Sequence, residues 1–419
     1  MKTLNAWLEA LTRDTTPDFA ECCRQLAHLL PLLALFEQTE QDKQWHAEGN
    51  VAIHTDMVLK QMYHLLATDA RHITGEARQV LILSALLHDI AKPLTTRRKE
   101  INGIPRVTAT GHEQQGLSYL ALKLPELPLA HTVIAQVMAL VGYHQMPKLL
   151  VVKNQDFGDY LHLALNADLE LLYWLEIADL KGRVCQDLNH QLELLEEFKL
   201  FALEYNLWGQ TDPGKNLISG IQVKKNKSEQ VYLDNYALQL LATKQIYHPD
   251  EAIAKTYQHA GNYSHLYVMC GISGSGKSSW IAQNLEDFTL ISLDDIREEL
   301  NGKRECQKSR GQVLQLAKTR LKTALAGKRN VVWDATNIRK DFRKVLCDLG
   351  RDYHALVTIV AFQVQEKTLR KNNRNRQHRV ADEVIDRQIS RLQWPELSEA
   401  HRMLLIDENG RVLSRNGKF

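Results

Sequence analysis

The stretch Leu266-Tyr267-Val268-Met269-Cys270-Gly271-Ile272-Ser273-Gly274-Ser275-Gly276-Lys277-Ser278-Ser279 joins an apolar strand pattern, a glycine-rich loop and the start of a helix. Glycines at 271, 274 and 276 let backbone amides turn inward and hold phosphates at a helix N-terminus. In that geometry Lys277 reaches the β and γ oxygens of a nucleotide and Ser278 ligates magnesium. The spacing predicts ATP, or another nucleoside triphosphate, bound with Mg2+ by Gly271, Ser273, Gly274, Ser275, Gly276, Lys277, Ser278 and Ser279.

Downstream, apolar runs at Leu266 to Cys270, Phe288 to Leu293, Val331 to Trp333 and Leu356 to Phe362 alternate with helical patterns at Lys277 to Asn284, Gln312 to Ala326 and Phe342 to Leu349. Such alternation predicts an α/β domain, a parallel sheet with helices on both faces, over 263–419. Polar residues follow two of its strands: Asp294-Asp295-Ile296-Arg297 and Asp334-Ala335-Thr336-Asn337. Carboxyl ends of strands in such sheets border the ligand crevice. One of the two aspartates is placed there to accept a hydroxyl proton, and Arg297 to bind an acceptor phosphate; a capped helix with an acidic first turn is the plainer reading. The run Leu369 to Arg379 packs cations where a lid would cover the nucleotide, although cation runs usually form a solvated face.

Upstream, residues 1–190 read as helix after helix, with apolar positions at three-to-four spacing in Ala27 to Phe36, Ala77 to Leu87, Thr132 to Val141 and Leu161 to Leu175. Thr95 to Gly111, with basic residues at Arg97, Arg98, Lys99 and Arg106, reads as a mobile surface insertion. Residues 191–262, including the polar Lys224-Lys225-Asn226-Lys227, read as a helical connector. The expectation is thus multidomain: an all-α domain, a connector and an α/β domain. At 419 residues, two cores are the default.

Hydrophobic residues make up 44% and charged residues 24%, and the net charge of +2 gives no global polycation, so any polyanion site must be local. The six cysteines, Cys22, Cys23, Cys185, Cys270, Cys306 and Cys347, contain no Cys-x-x-Cys pair; they are expected to be reduced and buried. Acid at Glu9 precedes any apolar stretch, and no run approaches the roughly 18 apolar residues of a membrane helix, so a cytoplasmic protein without membrane partners is expected.

Eleven of the 17 histidines precede residue 191. His28, His64 and His72 read as ordinary structural residues. His88-Asp89 ends the apolar helix Leu83 to Leu87. Adjacent helical side chains diverge by roughly 100 degrees, so one metal takes both only over the helix end or with partners from other helices. His54 and Asp179 are candidate partners, and this mixture of imidazole and carboxylate suits a divalent metal with open positions. Lys92 lies one turn beyond His88, placed to bind phosphate or protonate a leaving oxygen.

The C-terminal motifs resemble the 5'-hydroxyl polynucleotide kinases over about 264–400. That resemblance implies Lys277 and Ser278 on ATP phosphates and magnesium, Asp294 as general base, and Arg297 on the acceptor's 3' phosphate. It further implies Asp334, Thr336 and Asn337 at the acceptor, and lid arginines Arg374 and Arg379, with Arg376 as an alternative to the latter. His54, His88-Asp89 and Asp179 resemble the HD phosphohydrolase superfamily over roughly 40–190. With Gly111-His112-Glu113 and Tyr143-His144 they are similar to the HD domains attached to bacterial CCA-adding enzymes, which implies a second metal on His112 and His144. The metals so implied are one or two divalent transition ions, with Mn, Co, Ni and Zn open.

The order of the two parts resembles the bacterial HD-Pnk end-healing architecture. It implies removal of a 2',3'-cyclic, 2' or 3' phosphate and phosphorylation of a 5'-OH on RNA or DNA ends. A downstream ligase and a homo-oligomer are the further partners it leaves open. The other readings are a small-molecule kinase fused to a nucleotide phosphohydrolase, and an ATP-dependent regulatory binding module; Asp294, Arg297 and the lid weigh against the latter.

Overall fold

The computed structural model describes residues 2–222, 226–303 and 309–419. Lys224 and Lys225 of the polar stretch and Cys306 lie outside the described residues. The chain forms two compact units, Met1–Pro213 and Gly214–Phe419, and residues 191–262 divide between them. Among the described residues no helix is long and apolar enough to cross a membrane. The five described cysteines are free; Cys22, Cys270 and Cys347 are buried, whereas Cys23 and Cys185 are partly exposed.

The first unit is helical around one central helix. α1 (Val51–Ala67) starts where the Asn50 side chain accepts the Ile53 amide, and it buries Val51, His54, Thr55, Val58, Leu59 and Met62 along one stripe. α2 (Gly75–Leu87) is buried on every side from Arg78 to Leu87, its apolar run Val80–Leu83 and Ala85–Leu87 inside the core and Arg78 and Gln79 donating to the Leu11 and Leu8 carbonyls. α3 (His112–Lys123) and α4 (His131–Tyr143) follow, and α5 (Leu169–Lys181) is capped by Asp168, which accepts the Glu170 and Leu171 amides. α1, α4 and α5 pack against α2. Each fully buried leucine in this cluster contributes about 2 kcal/mol by leaving water. α6 (Leu188–Glu204) closes the unit against α5.

Between α2 and α3 the insertion is a β-hairpin, β1 (Arg97–Ile101) and β2 (Ile104–Thr108), paired antiparallel. Its turn is Asn102-Gly103, with φ of 54° and 77°. Two successive positive φ values make the tight turn whose twist matches paired strands, and Asn-Gly tolerates it best.

The second unit is a mostly parallel six-stranded sheet flanked by helices. α7 (Lys227–Ala242) precedes it and is tied down by Tyr236, whose hydroxyl donates to the Ala355 carbonyl at 3.0 Å. Then come β3 (His265–Cys270), α8 (Lys277–Asn284), β4 (Thr289–Ser292), α9 (Leu293–Asn301), α10 (Arg310–Ala326), β5 (Val331–Asp334), α11 (Lys340–Asp352) and β6 (Leu356–Phe362). The remaining elements are α12 (Glu366–Asn375), α13 (Asp382–Ser390), β7 (Arg402–Ile406) and β8 (Val412–Asn416). Strand order is β4-β5-β3-β6-β7-β8, with only β8 antiparallel to its neighbour. All seven residues of β6 are buried, the continuous apolar run of a strand covered on both faces. Because the chain runs from β3 to β4 on one side and later returns to β6 on the other, the crevice at the carboxyl end of β3 is where ligands bind in such sheets.

Candidate active sites

In the first unit the sequence-predicted histidines and aspartates meet. α2 ends at Leu87, so His88 is its C-cap and Asp89 lies in the following turn; both side chains therefore reach over the helix end. His54 Nε2 lies 3.0 Å from Asp179 Oδ1 and 3.3 Å from His88 Nε2. His112 Nε2 lies 3.2 Å from Asp89 Oδ1 and 3.3 Å from His144 Nε2. Asp89 joins the two groups, since its other oxygen, Oδ2, is 3.2 Å from His88 Nε2. All six residues are buried.

The ring hydrogens decide what this cluster wants. The Nδ1 atoms of His88, His112 and His144 face the carbonyls of Ala85, Ala109 and Val141 at 2.9, 2.8 and 2.8 Å. A carbonyl only accepts, so each Nδ1 carries the hydrogen and each Nε2 of the neutral ring is left as a lone pair. His54 Nδ1 likewise faces Glu48 Oε1 at 3.1 Å and the Gly182 carbonyl at 3.2 Å. Paired Nε2 lone pairs 3.3 Å apart, beside carboxylates, repel one another unless a cation lies between them. The donor sets His54, His88, Asp179 and Asp89, His112, His144 each fit a divalent ion of the imidazole-and-carboxylate type.

Neighbouring charges reinforce the arrangement. Burial alone would raise Asp89 and Asp179, yet the Lys92 ammonium beside Asp89 and the Arg183 guanidinium beside Asp179 hold both carboxyls well below the usual carboxylate range. Burial pushes His144 well down, which keeps its ring neutral. Lys92, expected to bind phosphate or protonate a leaving oxygen, has Nζ 2.7 Å from Asp89 Oδ2 and donates to Gln41 Oε1 at 2.6 Å. The ion pair is off hydrogen-bond geometry, so Asp89 Oδ2 is a buried oxygen without an aligned donor, as a metal-facing oxygen would be.

Glu48, Gln41 and Arg183 were not singled out from sequence. Arg183 pairs with Asp179 one helical turn away, and that i,i+4 spacing was the available signal.

In the second unit the phosphate loop follows β3. Gly274 and Gly276 adopt φ of 86° and 91°, which L side chains rarely adopt, and Gly276 caps α8. Lys277 Nζ donates to the carbonyls of Gly271 and Ile272 at 2.8 and 3.0 Å, and burial lowers its pKa. Ser278 Oγ donates to Asp334 Oδ2 at 3.2 Å, and burial raises the Asp334 carboxyl. Asp334 thus stands beside the expected magnesium ligand. Asn337 has its side-chain amide committed to the Met269 carbonyl at 2.6 Å, which ties the end of β5 to β3, and Thr336 accepts the Gly271 amide at 2.9 Å through its carbonyl.

These residues line a cleft of about 1380 Å3 shared by the phosphate loop, Asp294, Arg297, Asp334, Thr336 and Asn337. Arg297 pairs with Asp294 one turn away on α9. From the segment between α12 and α13, from α13 itself and from the residue that ends it, Arg376 and Arg379, Arg387, and Arg391 line the same cleft. Arg374 is exposed and is not among its lining residues. Two contacts without a sequence signal secure the loop: the Gln388 side chain accepts the Ser273 amide at 2.8 Å, and Asn372 donates to the Gly274 carbonyl at 3.0 Å.

The family model described as AAA domain matches residues 266–395, which contain the phosphate loop and the arginine-bearing helices. No curated protein matches the chain. The second unit is a P-loop domain of kinase-like fold, which implies a nucleotide and Mg2+.

Proposed function

We propose that the chain heals broken nucleic-acid ends: the second unit phosphorylates a 5'-OH from ATP, and the first removes a 2',3'-cyclic, 2' or 3' phosphate. The observation that carries this reading is the Asp294–Arg297 pair in the same cleft as Lys277, in a chain that also holds two buried histidine–aspartate sets. An acceptor hydroxyl with a phosphate nearby is what the pair is built to engage.

In the kinase reaction Asp294 accepts the proton of the 5'-hydroxyl as its oxygen attacks the γ-phosphorus, and ADP leaves. Arg297 holds Asp294 in place and, lining the same cleft, brings its positive charge to the acceptor's phosphate. Lys277, Arg376 and Arg379 neutralise charge on the transferring group, while Ser278 and Asp334 would hold the magnesium that accompanies ATP.

In the hydrolytic reaction His54, His88, Asp179 and Asp89, His112, His144 would hold divalent ions, which supply Lewis acidity to a terminal phosphate and acidify a water. The backbone carbonyls fix the rings, Arg183 fixes Asp179, and Lys92 fixes Asp89. The products, a 3'-OH and a 5'-phosphate, are what a ligase joins.

The test is an end-group assay on an oligonucleotide bearing a 5'-OH and a 2',3'-cyclic phosphate. Both ends are expected to be converted. Lys277→Ala should cut phosphoryl transfer by about a hundredfold or more while sparing hydrolysis, and Asp89→Ala should do the reverse. Transfer to nucleosides with none to oligonucleotides would favour the small-molecule kinase instead, and loss of both activities in Lys277→Ala would sink the two-site account.

A further inference from the structure

The β1–β2 hairpin is built into the histidine site at both ends. The short helix Lys92–Thr95 leads into β1, and β2 leads through Gly111 to His112. Its root is clamped to residues 40–42. Asp42 takes Arg106 Nη1 at 3.0 Å and the Val107 amide at 3.1 Å, and Glu40 takes Arg98 Nε and Nη2 at 2.7 and 2.8 Å. Between them, Gln41 holds Lys92 at 2.6 Å. The stem is therefore fixed relative to the metal-ligand cluster, whatever the tip does.

The rest of the hairpin has no core to serve. All five residues of β1 are exposed, and Ile101 and Ile104 at the tip are 45% and 54% exposed. Between Arg97 and Thr108 stand four cations and one carboxylate, in a chain whose net charge is +2. Directly opposed residues share a face and side chains alternate along each strand, so Arg97, Lys99 and Arg106 lie on one face, with Lys99 directly opposite Arg106. Asp42 offsets Arg106, so the charges left uncompensated along that face are Arg97 and Lys99. Among the described residues neither Arg97 nor Lys99 has a carboxylate partner; Arg97 donates to the Thr96 carbonyl.

We infer that this hairpin is a guide for the sugar–phosphate backbone of a single strand whose 3' end enters the histidine site, with Arg97 and Lys99 on phosphates and Ile101 and Ile104 against bases. The spacing of cations along an extended ribbon suits a linear polyanion, and the apolar tip suits unpaired bases rather than a free phosphate. The inference rests on the proposed hydrolytic reading for its substrate, and it adds what distinguishes a strand end from a mononucleotide.

The test compares the full chain with Arg97→Ala/Lys99→Ala on two substrates: a ten-nucleotide RNA phosphorylated at both ends, and a nucleoside 3'-monophosphate. The 5' phosphate removes the hydroxyl that the other unit would engage. For the RNA, kcat/KM is expected to fall about tenfold at low salt, and the logarithmic salt slope to lessen by about 1.4, two phosphate contacts on single-stranded nucleic acid. The mononucleotide rate should hold, which also reports an intact fold. Equal losses on both substrates, or none, would overturn the guide. So would unchanged RNA kinetics together with hairpin-dependent binding to vesicles of anionic lipid, which would make the surface a membrane contact. Anisotropy with the same RNA, labelled, separates the two readings. Hairpin-dependent binding without any hydrolysis by the wild type would remove the hydrolytic reading and leave the guide standing, whereas affinity unchanged in the double variant would remove the guide.

Discussion

Glu48 makes the clearest case that single residues outside the ligand set govern the histidine site. It accepts from His46 Nδ1 at 2.8 Å, His54 Nδ1 at 3.1 Å and the Val184 amide at 3.0 Å. Burial works against its charge, but those hydrogen bonds prevail and hold it well below the usual carboxylate range. It thereby fixes the His54 tautomer and enriches Nε2, the atom turned toward Asp179. Glu48→Gln is expected to lower divalent-metal affinity about 10- to 100-fold in titrations of metal-stripped protein, with helical content unchanged. Unaltered affinity would reduce Glu48 to a structural anchor. In the other unit His265 gives a pH prediction. Arg402 Nη2 lies 3.0 Å from its Nδ1 and can only donate, so that nitrogen is unprotonated. Burial, then Arg402, lowers its pKa to about 4 from an ordinary 6.5. The unfolded chain therefore binds more protons between those values, and stability present above pH 6.5 is lost as pH falls toward 4. With the ring's partial exposure the loss is about 2 kcal/mol, and urea unfolding at pH 7 and 4.5 should show His265→Gln losing correspondingly less than wild type.

Helix contacts set the next constraint, and Gly182, at the end of α5, carries it. A Cβ there would stand 2.7 Å from Val58 Cγ2, 2.8 Å from Val58 N and 2.9 Å from Val58 Cα on α1, and backbone atoms cannot swing aside. The same glycine's carbonyl faces His54 Nδ1. Gly182→Ala should destabilise the helical unit by about 1–3 kcal/mol and weaken metal binding with it; an unchanged urea midpoint would mean that α1 shifts freely. Periodicity made α2 and the strands at 266, 331 and 356 legible, because buried elements announce themselves by apolar spacing. Side-chain spacing alone could not say that Asp89 spans both ligand groups, because that depends on where α2 stops. The hairpin was legible only at Asn102-Gly103, since Arg97, Arg98, Lys99 and Glu100 have no apolar alternation to reveal a strand that buries nothing. Arg376 rather than Arg374 lines the cleft because α12 ends at Asn375 and the chain leaves its helical path there, a boundary without a sequence mark. Glu48 and Gln388 were hidden for a different reason, since their bonds cross turns or span more than a hundred residues.

At the scale of the whole chain, each unit has its own buried core: α2 and the helices packed on it in one, β3 and β6 in the other. A ligand that binds only the native form of one unit stabilises that unit by RT ln(1 + [L]/Kd), about 2.7 kcal/mol at a hundredfold excess over Kd. Calorimetry of the full chain, with magnesium present throughout, should therefore resolve two separately addressable transitions. A non-hydrolysable ATP analogue should raise one, by about 5–10 °C for a unit of roughly two hundred residues, and a transition-metal ion should raise the other. Lys277→Ala should cancel only the first shift and Asp89→Ala only the second, because each removes charge from one binding set. If either ligand moved both transitions together, binding at one site would be coupled to folding at the other, and the separate loss of the two activities expected of the same variants would no longer follow.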